Sequence, residues 1–213
     1  MRTQFDSFRR RARLLVQRYR HDCRGAALIE FAMCLPLLIL MFAGALVLQD
    51  AIRMGYLNSK ASYTLADMVS REDESINAAY FDGLDSVFDY IIDDRYPGDL
   101  RVTTIECTAN CTDEEDRVLE VCWSRASDGF AALNNVSIGT YAGRTPLFAE
   151  GDTLLVTETY LNYTPPVFAN IFAPRRYEAF AFTRPRIAGQ IKFDTGTIDE
   201  FGNQIFSDCF NNG

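Results

Sequence analysis

The sequence has one histidine among its 213 residues, and that residue, His21, lies near the N-terminus. No imidazole is therefore available after position 21 for acid–base chemistry or metal binding. The sequence also lacks a nucleophile elbow, a phosphate-binding glycine loop and an HExxH motif. The neighbouring carboxylates Asp113 and Asp116 lie in an acidic run typical of a solvated turn. We therefore expect a protein without cofactor or metal, and not an enzyme.

Charge is missing from eighteen consecutive residues, Phe31 to Leu48, which are almost all apolar. With residues 26–29 the segment reaches about the length that a helix needs to cross a bilayer core. Pro36 removes one backbone hydrogen bond within it and should bend the helix. We interpret residues 26–48 as a transmembrane helix. A cleaved secretory signal is the alternative, because residues 43–45 (Ala-Gly-Ala) have the small-x-small form that signal peptidase prefers.

The charges on the two sides of this segment differ in sign. Residues 1–25 contain eight arginines and two aspartates, a local balance of +6, whereas the residues after position 48 carry −13. A basic arm and an acidic body could indicate nucleic-acid binding, but the arm runs directly into the apolar segment. An excess of lysine and arginine marks the cytoplasmic side of a membrane helix. We therefore expect residues 1–25 to be a cytoplasmic leader, the residues after 48 to be exported, and no nucleic-acid partner.

Four of the six cysteines, Cys107, Cys111, Cys122 and Cys209, would be exported. An even number of cysteines in an oxidising compartment indicates two disulfides, for which three connectivities are possible. We favour Cys107 with Cys111, which closes a short hairpin loop, and Cys122 with Cys209, which ties the C-terminal tail to a strand. Free thiols are the alternative. The C-x3-C spacing without a nearby histidine is a poor zinc signature.

One carboxylate lies inside the apolar segment, close to its start, where the sequence reads Arg24-Gly-Ala-Ala-Leu-Ile-Glu30-Phe31. A charged side chain within a bilayer-spanning helix costs about 2–3 kcal/mol even on permissive insertion scales, so such residues are functional candidates. The simpler interpretation places Glu30 near the headgroups, reaching water or Arg24. The other is cleavage after Gly25, which would give Ala26 a positively charged amine. In an assembled filament, the Glu30 carboxylate of one subunit could pair with the amine of its neighbour.

This junction, a glycine followed by four small or apolar residues, a glutamate and an aromatic, resembles the processing site of type IV prepilins. The run RGAALIEFAMCLPLLIL is similar to the TadE-like pseudopilins of tight-adherence (Flp-type IVb) pilus systems, and residues 61–71 carry a weaker likeness. The resemblance implies cleavage between Gly25 and Ala26 by a prepilin peptidase, and it makes Glu30 the assembly glutamate. Phe31 replaces the tyrosine common in the major subunit, so the resemblance implies only a ring-packing role for it.

The size of the exported part refines the resemblance, because major pilins of this class are little more than the helix. The resemblance therefore implies a minor pseudopilin that acts in pilus assembly and surface adherence. The implied partners are the membrane, a prepilin peptidase, other pilins or pseudopilins, and the Tad inner-membrane assembly proteins. The implied location is the bacterial inner membrane, single-pass, with the C-terminal part in the periplasm or incorporated in the pilus. An uncleaved, membrane-anchored periplasmic binding or sensor protein is the alternative.

Two helices are predicted before residue 96. The first is predicted over residues 25–70, a length of roughly 70 Å, and therefore continues beyond the membrane-spanning segment. The prediction rests on side chains that recur at spacings of three and four, namely Ile52, Tyr56, Ser59, Tyr63, Ala66 and Val69. A break near Gly55 is the alternative. A second, amphipathic helix is predicted from residue 75 or 77 to residue 93. Its other face is acidic. We interpret this face as a solvated surface, with a calcium site or a basic partner as the alternatives: Asp82, Asp85, Asp89, Asp93 and Asp94.

From residue 100 the apolar period changes to two, which is typical of strands. Residues 100–108 and 117–125 are predicted to form a hairpin, with further strands at 135–141, 152–163 and 177–183, the last with a possible extension to Lys192. In residues 152–163, β-branched and aromatic residues alternate with polar ones. We expect an α+β fold in which residues 49–95 form a helical extension and second helix, and residues 96–213 a small antiparallel β domain. Pilin-like subunits are built this way.

Overall fold

The computed structural model of the protein describes residues 24–73, 75–167, 173–199 and 204–209. Almost all of the predicted leader, residues 1–25, lies outside these ranges. The described elements, in chain order, are α1 (Arg24–Ser70), β1 (Ser75–Ile76), α2 (Ala78–Ile92), β2 (Gly98–Ala109), β3 (Val118–Ala126), a 3-10 helix (Ile138–Arg144), β4 (Thr153–Tyr163), β5 (Arg175–Thr183), β6 (Lys192–Ile198) and β7 (Gln204–Ser207). The fold is α+β, as predicted.

The helix α1 confirms the predicted long helix and runs through Pro36 and Gly55 without interruption. The chain divides into two units, Met1–Gln49 and Asp50–Gly213. In the first unit, every side chain from Leu28 to Phe42 is exposed, on all sides of the helix. Within the described residues this is the one helix long and apolar enough to cross a membrane. It is compatible with a single-pass anchor, and an apolar signal sequence near the N-terminus would meet the same test of length and composition.

The second unit, from Asp50 onwards, contains two sheets. The larger is four-stranded and antiparallel with the order β3-β2-β4-β5, and β2 with β3 is the predicted hairpin. The smaller sheet has the order β1-β6-β7, with β1 parallel to β6 and β7 antiparallel to it. The predicted extension of β5 to Lys192 is wrong. β5 ends at Thr183, two residues before Pro185, and Lys192 begins β6 in the other sheet.

One face of the four-stranded sheet is covered by α1 and α2. Leu100, Leu155 and Leu161 of the sheet share a core cluster with Leu65 of α1 and Phe88 of α2. The helical residues 50–95 and the β strands therefore build one core. Two buried polar side chains of α1 also hydrogen-bond to the sheet. The Nδ2 of Asn58 donates to the carbonyls of Thr159 (3.3 Å) and Tyr177 (3.2 Å), and the Oγ of Ser62 donates to that of Thr157 (3.0 Å).

The face of α1 that packs on the sheet differs from the apolar row seen in the sequence. Ala66 and Val69 of that row are buried, but Ile52, Tyr56 and Tyr63 are about two-thirds exposed. Two large apolar side chains and three small or polar ones occupy the buried face instead, and sheet carbonyls accept hydrogen bonds from Asn58 Nδ2 and Ser62 Oγ. These buried residues are Met54, Asn58, Ala61, Ser62 and Leu65.

The helix α2 confirms the second predicted helix. Asn77 caps its start, where Oδ1 accepts the N–H of Tyr80 at 2.9 Å. Asp93, in the left-handed conformation (φ 67°), ends it. Ser75 and Ile76, which the longer version of the prediction placed in the helix, form β1. Four apolar side chains on the inner face of α2 are buried, namely Phe81, Leu84, Phe88 and Ile92.

The segment that covers the other face of the sheet was predicted incorrectly. The strand expected at residues 135–141 is a turn followed by the 3-10 helix Ile138–Arg144. The turn forms because Asn134 Oδ1 accepts the N–H groups of Val136 (3.0 Å) and Ser137 (2.9 Å). Such side-chain bonds compete with strand pairing for the same backbone donors. Ile138 of the 3-10 helix and Phe148, four residues after its end, pack on the sheet.

The strand β4 was predicted correctly, but its polar residues are not solvated. Both faces of β4 are covered, and every residue except Asn162 is buried. The carboxylate of Glu158 is compensated by Arg101, whose Nε lies 2.5 Å from Glu158 Oε2. Arg101 also donates to the Tyr141 hydroxyl (2.6 Å), and its guanidinium lies 3.9 Å from the ring centre of Phe130. The ion pair between Glu158 and Arg101 is therefore buried in the core with its hydrogen-bonding groups satisfied.

Both disulfides have the connectivity favoured from the sequence. Cys107–Cys111 closes the turn after β2, with the Cα atoms 5.8 Å apart. Cys122–Cys209 joins β3 to the residue that lies two positions beyond β7, with the Cα atoms 4.4 Å apart. Next to it, Trp123 Nε1 donates to the carbonyl of Ile191 at 2.7 Å. The second disulfide therefore fastens the two sheets together.

We expect Glu158→Gln to lower the free energy of unfolding by about 3 kcal/mol, because Arg101 would remain buried without its counter-ion. Urea unfolding of the detergent-solubilised chain can be followed by the fluorescence of Trp123, the only tryptophan. Glu178→Gln is the matched control, since the Glu178–Arg176 pair is exposed and its groups are 3.9 Å apart. It should cost less than about 1 kcal/mol. Equal losses of unfolding free energy in the two variants would contradict a stabilising role for the buried Glu158–Arg101 pair.

The two disulfides should differ in their contribution to stability. The chain-entropy model predicts a loss of about 4–5 kcal/mol for Cys122→Ser with Cys209→Ser, because the two cysteines are 87 residues apart. Cys107→Ser with Cys111→Ser should cost about 2 kcal/mol, because that loop spans only four residues. The same unfolding measurement compares them. A larger loss for the Cys107–Cys111 pair would show that the long-range bond does not hold the sheets together.

Candidate processing and assembly site

The predicted scissile bond, between Gly25 and Ala26, lies in the first turn of α1. Gly25 is the second residue of the helix and is exposed, and apart from its chain neighbours and the helix backbone no atom of the described residues lies within 4 Å of the position that a Cβ would take. The N–H groups of a first turn have no intrahelical partner, and helix ends fray readily. Among the described residues, none packs against Gly25.

Glu30 lies one helical turn after Ala26, on the same side of α1, because residues four apart share a helix face. Its carboxylate is exposed, and no ion pair or hydrogen bond joins it to a described side chain, a set that does not include the side chain of Arg24. Phe31 is also exposed. Glu30 is therefore an uncompensated acid at the start of a helix whose neighbouring side chains are apolar.

The apolar surface around Glu30 requires a cover. A helix that is apolar on every side is stable only inside a protein core or a bilayer, and the side chains from Leu28 to Phe42 are exposed in the single chain. Fully burying each large side chain among them is worth about 1.5–3 kcal/mol. In lipid or among other helices, the same environment penalises the bare carboxylate. A positively charged group within reach would remove that penalty.

A polar cluster at the beginning of the second unit was not predicted. The Tyr96 hydroxyl donates to Asp50 Oδ2 at 3.1 Å, and Arg95 Nη1 lies 3.5 Å from Asp50 Oδ1. Burial, followed by the hydrogen bond to Asp50, raises the pKa of Tyr96. The ring of Tyr163, at the end of β4, lies 5.1 Å from that of Tyr96. This cluster fixes the chain after α2 to α1 at Asp50.

The acidic face of α2 borders a cleft of about 290 Å³, where the helix meets the adjoining parts of β2 and β3. Burial raises the pKa of Asp85, and repulsion by Asp89 and by the other carboxylates of the cleft adds to the shift. Arg125 also lines the cleft. The surface is therefore more crowded with negative charge than an ordinary solvated helix face. Four carboxylates line it: Asp82, Asp85, Asp99 and Asp128.

The other carboxylates and cysteines considered in the sequence have structural explanations. Asp113 and Asp116 are exposed in the turn after β2, where Asp113 Oδ1 accepts the N–H of Glu115 at 2.9 Å. Glu106 lies close to the sulfur atoms of Cys122 and Cys209, but those sulfurs are bonded to each other and offer no thiolate. These groups stabilise the second unit, whereas the residues of the α1 junction have no such structural explanation.

In comparisons with known proteins, no family model, no curated protein and no solved structure matches this chain.

Proposed function

We propose that this chain is a TadE-like minor pseudopilin, an inner-membrane subunit that a prepilin peptidase cuts after Gly25 and that then takes part in building a tight-adherence pilus. Its partners are the peptidase, other pilins or pseudopilins and the inner-membrane assembly proteins. The exported unit, Asp50–Gly213, is periplasmic or carried on the pilus. The protein contributes to surface adherence through that assembly and performs no chemistry of its own.

The observation that carries the proposal is the uncompensated carboxylate of Glu30 in a helix that is apolar on all sides. Before cleavage, Arg24 is the basic residue nearest to Glu30 in the sequence. Cleavage after Gly25 would remove Arg24 with the leader and create an amine at Ala26. That amine would be the nearest cation available to Glu30, on its own chain or on a neighbour packed against it. The pairing would favour packed helices over single ones, and would thereby couple processing to assembly.

The continuity of α1 supports an anchor that stays attached. Signal peptidase acting after Ala45 would separate the exported unit from the apolar segment. The helix shows no break there, and the same helix supplies the buried core residues Leu65 and Val69. Prepilin processing after Gly25 would remove only the first two residues of this helix with the leader and would keep the rest attached. In the second unit a layer of helices packs on a sheet, which agrees with the way pilin-like subunits are built from a long helix and a sheet.

We expect Gly25→Ala to slow removal of the leader by about tenfold or more, because an added methyl group in a tight enzyme subsite costs that much. Cleavage shortens the 24.1 kDa chain by roughly 3 kDa, so intact mass of the membrane-extracted protein measures it. Gly44→Ala is the matched control: a Cβ at either glycine meets no atom within 4 Å. It should be processed normally. An unprocessed wild-type chain in cells that contain the peptidase would favour the uncleaved anchor.

We expect Glu30→Ala to leave processing largely intact and to abolish assembly, because the Ala26 amine would lose its partner. Glu30→Gln separates charge from size: it keeps the side-chain length, and should fail in assembly as well. Sheared surface filaments, counted by electron microscopy and by immunoblot, measure the effect. Normal filament numbers in both variants would contradict the pairing.

A further inference from the structure

The outward side of α1 in the second unit carries an exposed surface, the basic–aromatic face, made of Ile52, Arg53, Tyr56, Lys60 and Tyr63. Neither Arg53 nor Lys60 has a carboxylate oxygen within 4 Å among the described residues. Most other cations of this unit are bonded to acids or to backbone carbonyls. Tyrosine and arginine are the residue types that protein interfaces favour. This face therefore has the composition of a contact surface.

The same unit carries a complementary surface, the acidic face, made of Asp82, Asp85 and Asp89 on α2. None of the three forms an ion pair with a described side chain. The pKa values of Asp85 and Asp89 are raised, first by burial and then by neighbouring carboxylates. Arg125 at the cleft is the one basic residue among the groups that line it. An incoming cation would therefore relieve repulsion at this face.

The two faces match in spacing. Arg53 and Lys60 are seven residues apart on one helix, and Asp82 and Asp89 are seven residues apart on the other. Seven residues are about two helical turns, so each pair lies on one side of its helix with a rise of roughly 10 Å. Two cations and two carboxylates can therefore meet at the same time.

The two faces also lie at the same level along α1. The start of α2 lies near the end of α1, because only seven residues connect Ser70 to Ala78, and the chain after α2 returns to Asp50 through Tyr96. α2 therefore runs back along α1, with Asp89 nearer to Asp50 than Asp82 is. In two upright copies placed side by side, Arg53 would lie opposite Asp89, and Lys60 opposite Asp82.

We propose that the basic–aromatic face of one copy docks against the acidic face of a second copy of this chain. Because the contact joins two different surfaces, each copy keeps one of each free, and addition can continue as an open array instead of stopping at a dimer. A second copy is the occupant that satisfies both surfaces together. Anionic lipid headgroups would neutralise only the cations and leave the acidic face unpaired. The docking involves residues remote from Gly25 and does not require cleavage.

The test is a cross-link between two differently tagged full-length chains in membranes. One chain carries Lys60→Cys and the other Asp82→Cys, both with Cys23→Ser and Cys34→Ser so that no native free thiol competes. Mild oxidation should give a mixed-tag product of about twice the mass of the chain present in those membranes. The pair Lys60→Cys with Asp116→Cys is the matched control, because Asp116 is an equally exposed aspartate remote in sequence from α2. The first pair should exceed the control by about fivefold or more, since electrostatic complementarity fixes register.

Charge reversal provides a second measurement. In the Arg53→Cys with Asp89→Cys pair, adding Lys60→Glu to the first chain should reduce the cross-link about fivefold, because like charges would face each other. Adding Asp82→Lys to the second chain should restore it. Equal yields for the Asp82 and Asp116 pairs, or no rescue by the reversed pair, would overturn the proposal. So would capture of Lys60→Cys by a different protein, or loss of membrane binding as the only effect of Lys60→Glu.

The outcome is distinguishable from that of the proposed processing. In a Gly25→Ala background the cross-link should persist at the same yield, and its loss there would overturn the claim that docking is independent of cleavage. A wild-type chain that stays uncleaved but forms the cross-link would reject the pseudopilin assignment and retain the docking.

Discussion

The constraint on which the rest of the structure depends is that the first part of α1 cannot remain in water. Apart from Glu30, its side chains from Leu28 to Phe42 are uncharged and almost all apolar, and they are exposed around the full circumference of the helix. Removing such side chains from water is the dominant favourable term in folding and association, so lipid or other helices must cover them. In either cover a carboxylate at position 30 is costly unless it is paired. The position of one acid thus turns a general requirement for burial into a specific requirement for a nearby cation.

The same helix meets a different requirement after Asp50. There α1 is one-sided: small residues and the buried polar groups of Asn58 and Ser62 face the sheet, and tyrosines face outward. Hydrogen bonds from a helix to strand carbonyls depend on distance and direction, whereas apolar packing alone tolerates sliding. The contacts with Thr157 and Thr159 therefore fix the position of α1 along the sheet.

The sequence was sufficient for the elements whose signals are local. Both helices, the β2–β3 hairpin, β4 and β5 were predicted from periodicity and composition, and the pairing observed for the disulfides is the one favoured among three connectivities. It was insufficient where distant residues decide. The two residues of β1 have no strand pattern of their own and pair with β6, more than a hundred positions away. From the sequence, Glu158 has the pattern of a solvated strand residue. Only the structure shows that it is paired with Arg101, which lies 57 positions earlier in the chain.

At the candidate site, the sequence placed Glu30 within an apolar helix, and the structure adds a comparison with the other charges of the chain. Glu158 is buried and fully bonded, and Asp50 is held by Arg95 and Tyr96. These acids contribute to the fold. Among the described side chains, Glu30, the cations of the basic–aromatic face and the carboxylates of the acidic face form no ion pair, and all of them lie on helices. Charges that folding leaves unpaired on aligned helical surfaces gain most from intermolecular contacts. The distribution of charge therefore favours a subunit of an assembly over an isolated tethered domain.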